Sequence, residues 1–92
     1  MANLAKRDFD ILELSGEKYF EWKVDALTHL TANGLEGTIE KDNACTPREK
    51  AKAIAFLRHH IHECLKTEYM HVDDPMELWD NLSDRFAHLN YI

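Results

Sequence analysis

The stretch Asp73-Asp74-Pro75-Met76-Glu77-Leu78-Trp79-Asp80-Asn81-Leu82-Ser83-Asp84-Arg85-Phe86 decides the fold class. An Asp before a Pro offers a side-chain oxygen to the free amides of a first helical turn. The Pro suits the first helical position, where its missing N–H costs nothing, and Glu77 complements the positive end of the helix dipole. Met76, Trp79, Leu82, Phe86 and Leu89 then fall on one line at helical spacing, with Leu78 beside it. The spacing predicts an amphipathic helix over about 75–89. A Trp and a Phe on an otherwise acidic helix need a surface to meet.

The same grammar recurs upstream. In Thr46-Pro47-Arg48-Glu49 the Thr caps, the Pro opens the helix and the Glu three residues later completes a capping box. Ile54, Leu57, Ile61 and Leu65 follow as one stripe, with Ala53, Phe56, His60 and Cys64 as its neighbour, so a helix over about 47–68 is expected. Before it, a helix over about 18–33 carries two lines: Phe20, Val24, Leu27 and Thr31, and alongside them Tyr19, Trp22, Ala26 and Leu30. Asn33-Gly34 stops this helix, since both residues tolerate the left-handed conformation. Residues 1–17 read as an extended arm in which Phe9 and Ile11 alternate with Asp10, Leu12 and Leu14 until Ser15-Gly16 breaks it. A lone extended segment has no partner strand in this sequence, so it must pack on helices or pair with another molecule.

The expected architecture is all-α: a small bundle of three amphipathic helices after an extended N-terminal arm. Its expected core is Trp22, Leu27, Leu57, Ile61, Trp79, Leu82 and Phe86. Several stripes are two lines wide, more than one three-helix core covers, and surplus apolar surface on a small domain marks contact with another chain. The sequence ends at Tyr91-Ile92 with no helix-stop signal, which reads as an element cut before its packing partner.

Composition bounds the function. The chain has 92 residues, enough for one domain, with 45% hydrophobic and 30% charged residues, the balance of a globular protein. Its 11 basic and 17 acidic residues give a net charge of −6, which argues against a surface built to neutralise phosphates. Arg48, Lys50, Lys52 and Arg58 are the only local basic concentration, and solvation or an acidic partner surface is the expected use. Apolar runs of only a few residues predict no membrane span, and the N-terminus shows no secretory leader pattern, so a soluble cytoplasmic chain is expected. Cys45 and Cys64 form no CxxC pair. Reduced thiols are the simpler reading, and a single disulfide between them stays compatible with the sequence.

Chemistry-bearing residues are present without completing a site. In His59-His60-Ile61-His62-Glu63-Cys64, His60 with Cys64 and His59 with Glu63 are each four apart. The three histidines nevertheless point in different directions, and no second ligand pair closes a zinc site. Neither cysteine has a base or an oxyanion hole specified near it. The carboxylates Asp73, Asp74, Glu77, Asp80 and Asp84 are explained by capping and a solvated helix face. The expectation is therefore no enzyme, no cofactor, no metal and no small-molecule substrate.

Three blocks carry a family resemblance: Leu14-Ser15-Gly16-Glu17-Lys18-Tyr19-Phe20-Glu21-Trp22 followed by Asn33-Gly34-Leu35-Glu36-Gly37-Thr38-Ile39; Ala51-Lys52-Ala53-Ile54-Ala55-Phe56-Leu57-Arg58-His59-His60; and Leu65-Lys66-Thr67-Glu68-Tyr69 followed by Asp74 to Phe86. In order and spacing they resemble Gag polypeptides of plant copia-type LTR retrotransposons, across nearly the whole chain. The resemblance implies a helical domain like the N-terminal half of retroviral capsids, which assembles into intracellular particles around the element's RNA. In such proteins more helices follow, often with a zinc knuckle that binds nucleic acid. Neither falls within these residues, so direct RNA binding is not expected of them. The implied partner is a further copy of the chain, with Phe9, Ile11, Leu12, Leu14, Leu89, Tyr91 and Ile92 as candidate contacts. The rival reading is a host-retained, Gag-derived adaptor that binds a short peptide in a helical groove.

Overall fold

The computed structural model describes residues 10–87. Four α-helices, α1 (Tyr19–Ala32), α2 (Pro47–His59), α3 (Glu63–Glu68) and α4 (Pro75–Phe86), are joined by loops, with a 3-10 turn at Glu36–Ile39 between α1 and α2. The fold is all-α, with no named strand among the described residues. No helix among them is long and apolar enough to cross a membrane.

The helix starts follow their local chemistry. At α2 both halves of the capping box form: the Glu49 amide donates to Thr46 Oγ1 at 3.1 Å, and the Thr46 amide donates to Glu49 Oε1 at 2.8 Å. At α4 Asp74 Oδ1 accepts from the Met76 amide at 3.2 Å. Helix α1 closes through Gly34, whose φ of +71° lets the Leu35 amide turn back to Leu30 O at 2.8 Å.

Helix α2 does not run on to residue 68. It stops at His59, and His60-Ile61-His62 form a short extended break before α3. Three histidines around a β-branched Ile make a weak helical segment. His62 then acts as the cap of α3, its Nδ1 accepting from the Cys64 amide at 3.0 Å. The break supplies the edge that the N-terminal arm lacked. Leu12 and Ile61 form an isolated parallel bridge, in which the Leu12 amide donates to His60 O and the His62 amide donates to Leu12 O, both at 2.8 Å.

Packing is centred on aromatic side chains. Trp22 and Trp79 meet at 5.9 Å between ring centroids, and Tyr19 lies 5.9 Å from Phe86. Trp22, Leu57, Ile61, Trp79, Leu82 and Phe86 are all buried, together with Leu12, Tyr19, Ala26, Leu30, Ala53, Ile54, Leu65, Val72 and Leu78. The 3-10 turn fits between helices: α4 packs against it and against α2, and the turn also touches α1. Its Thr38 is fully buried and satisfies its own hydroxyl by donating to Leu35 O at 2.7 Å.

Two sequence expectations are corrected here. Leu27 is not core: it is 41% exposed, because the line Tyr19, Trp22, Ala26 and Leu30 faces inward instead of Phe20, Val24 and Leu27. Leu12, a candidate for contact with a second copy, is 1% exposed within its own chain. The alternating pattern sent one side of the arm inward, and the bridge to Ile61 fixes which side.

The arm and α4 also meet at Gly16. Its φ is +73°, and a Cβ built there would lie 2.1 Å from the Phe86 ring. Gly16→Ala therefore combines a strained backbone with overpacking against a buried aromatic. We expect a loss of about 2–5 kcal/mol in urea unfolding. Trp79→Ala empties the centre of the core and is expected to cost about 3–5 kcal/mol. An unchanged melting temperature in either variant would refute this packing.

Candidate functional site

Two surfaces of the described residues combine exposed apolar and charged side chains once the core is closed. The first is a face of α1. Phe20, Val24 and Leu27 are 61%, 50% and 41% exposed and stand at i, i+4 and i+7, so they form one apolar row along the helix. Helical geometry puts Glu21 and Asp25 in the adjacent row, both exposed, and half-buried Lys23 on the opposite border. Glu21 and Asp25 also line a cleft of about 400 Å³ between α1 and the arm, with Asp10, Glu13 and Glu17. Lys18 also lines the cleft, but its five carboxylates leave this side of the molecule predominantly acidic beside the apolar row.

The second surface is a groove of about 470 Å³ between the C-terminal half of α1 and α2. Leu30, Leu35, Ala55 and Phe56 give it an apolar floor, and His29, Lys52 and His59 stand around it. Among the described residues its lining contains no carboxylate. Arg48, Lys52 and His59 are exposed and share the row of α2 opposite its buried residues, Ala53, Ile54 and Leu57. Rings follow one another along the groove: His29 stacks 6.2 Å from Phe56, Phe56 lies tilted 4.6 Å from His60, and His60 meets His59 edge-on at 5.5 Å.

The histidine cluster is structural in its visible contacts. His60 Nδ1 is 2.9 Å from Phe56 O and His29 Nδ1 is 2.9 Å from Asp25 O, so each imidazole donates to the carbonyl four residues earlier. His62 caps α3. Among the described residues no group of three or more His, Cys, Asp and Glu is placed to hold a metal ion. Cys45 is half-buried and Cys64 exposed, and both are free thiols.

Of the basic residues singled out in the sequence, Arg58 serves the fold. It donates to Val72 O at 2.8 Å and Met70 O at 3.2 Å and lies 3.6 Å from Asp73. Arg85 in α4 is held by Glu68 and Tyr69; the hydrogen bond it donates to Tyr69, then the one it donates to Glu68, keeps its pKa above the ordinary guanidinium value. Burial pushes the Tyr19 phenol above its ordinary pKa, a hydrogen bond from Ser83 opposes that, and Asp80 and Asp84 add to the rise. These contacts hold α1, α3 and α4 together and leave Arg48 and Lys52 as the exposed cations of α2.

The candidate contact residues are scattered. Leu14 is 43% exposed at the turn before α1, Ile11 is half-buried, and Leu12 is core. Phe9, Leu89, Tyr91 and Ile92 lie outside the described residues. Sequence reasoning placed the candidate contact on the arm, the tail and whatever part of the stripes the core leaves uncovered, without naming Phe20, Val24 and Leu27 as that part. The signal was there, because α1 carries two apolar lines of equal spacing and only one can face a core.

No family model matches the chain, and neither the curated proteins nor the solved structures provide a match.

If the α1 row is surface, removing it leaves the fold intact. Leu27→Ala and Val24→Ser are each expected to change stability by no more than about 0.5 kcal/mol in denaturant unfolding. A loss above about 2 kcal/mol for Leu27→Ala would return that residue to the core.

Proposed function

We propose that this chain is a structural module that associates with further copies of itself, in the manner that its resemblance to Gag polypeptides of copia-type retrotransposons implies. The observation that carries the reading is the apolar row Phe20, Val24 and Leu27, left exposed on a helix whose other side closes the core. Fully burying a large apolar side chain is worth roughly 1.5–3 kcal/mol, so a row of this kind favours a covered state. One such contact is modest. Repeated through a lattice, modest contacts add by multivalency, and particle assembly needs no single tight interface.

On this reading the module acts without catalysis, cofactor or small-molecule substrate. Its place is in intracellular particles in the cytoplasm, and RNA is enclosed by the assembly without being bound by these residues. The net charge of −6 supports that division of labour.

A second reading is favoured by the groove between α1 and α2, whose apolar floor and basic edge suit a short apolar peptide with acidic residues. In that case the chain is a host-retained adaptor. Stoichiometry separates the two. In light scattering over a wide concentration range under reducing conditions, the structural module rises above the monomer mass as concentration increases. The adaptor stays monomeric throughout and binds a foreign peptide. We expect the rise, and we expect Phe20→Ser to push it to higher concentration without changing the far-ultraviolet circular dichroism.

A further inference from the structure

The two leftover surfaces differ in the way that makes them complementary. The groove has an apolar floor, its ionisable lining residues among those described are His29, Lys52, His59 and His60, and Arg48 continues the basic row of α2. The α1 face offers the opposite: apolar anchors at i, i+4 and i+7, with Glu21 and Asp25 in the row beside them. Anchors at those spacings are how an amphipathic helix is read by a groove. We propose that the groove between α1 and α2 is the docking site for the Phe20–Val24–Leu27 face of α1 from a second copy, with Glu21 and Asp25 of that copy set against Lys52 and Arg48.

The proposal rests on the self-association reading and names its interface. Each copy uses one surface to give and a different one to receive, so the contact is heterologous. Repeated, it closes into a ring or extends as a filament. The charge arrangement also sets register. The acidic row of α1 is repelled by its own counterpart on another copy and attracted by the basic row of α2, which disfavours pairing of the two α1 faces. Lys23 borders the apolar row on the side away from Glu21, so the acidic flank is one-sided and orients the docked helix.

Because the two halves of the interface lie on different residues, they can be disabled separately. Phe20→Glu ruins the face that is given and leaves the groove intact. Lys52→Glu ruins the groove and leaves the face intact. Both positions are exposed, and circular dichroism melting verifies that each variant folds; Val24→Glu and Ala55→Glu replace them if either does not. Each variant alone is expected to show at least about a tenfold weaker association than the unmodified chain in sedimentation equilibrium. An equimolar mixture of the two is expected to form a dimer and nothing larger, because only one competent pair of surfaces remains.

Three results would overturn the interface. If both variants assemble like the unmodified chain, copies associate elsewhere and self-association itself stands. If each variant is monomeric and the mixture is too, copies meet through the same surface on both partners, and the heterologous arrangement is wrong. If the unmodified chain is monomeric at every concentration, the self-association reading falls and takes this interface with it.

Discussion

The backbone carbonyl of His60 accepts two hydrogen bonds, from the Leu12 amide at 2.8 Å and from the Trp22 indole at 2.7 Å. His60 is 4% exposed, so these bonds occupy a carbonyl that water cannot reach. Each such bond is worth about 0.5–1.5 kcal/mol net, and leaving the buried group unpaired costs about 1–3 kcal/mol. Through that oxygen the N-terminal arm, α1 and the α2–α3 junction are held at one point. A helix continuous through Cys64 would have committed the carbonyl to the Cys64 amide, in competition with both partners.

The break has local consequences that fit together. The His60 amide turns to Leu57 O, a tighter closure than the helical bond to Phe56. Phe56 O is then open to the His60 imidazole, which donates to it. That contact brings the His60 ring beside Phe56, where both line the groove. With Trp22 drawn toward the junction by its indole, its row on α1 turns inward, and Tyr19, Ala26 and Leu30 turn with it. Phe20, Val24 and Leu27 stand on the exposed side of the same helix.

A chain of this size has little core to spare. A short domain buries only roughly two-thirds of the surface that its unfolded form exposes, so leaving three large apolar residues outside is a substantial omission. The aromatic cluster around Trp22, Trp79, Tyr19 and Phe86 compensates by concentrating burial where α1 and α4 approach, and the absence of a side chain at Gly16 admits Phe86. Within the 3-10 turn the buried hydroxyl of Thr38 is handled locally, by donating to Leu35 O. The exposed row is thus a surface the fold can afford to leave free, and it lies on the helix whose far end also borders the groove.

The capping box at Thr46, the Asp74-Pro75 start of α4 and the Gly34 stop of α1 were legible in the sequence because each is set by residues within a turn of one another. So were six of the seven core positions named from the sequence, since Trp22, Leu57, Ile61, Trp79, Leu82 and Phe86 carry large apolar side chains at helical spacing. The break at His60 was not legible. Its histidines only weaken a helix, and the partners that stabilise the break, Leu12 and Trp22, lie 48 and 38 residues away. Nor could spacing choose between the two apolar lines of α1, because both have the helical period. Side-chain periodicity determined that this chain is a set of amphipathic helices. Which of the two apolar lines of α1 is buried was decided by tertiary packing: Trp22 donates to His60 O, and Tyr19, Ala26 and Leu30 join the core beside it.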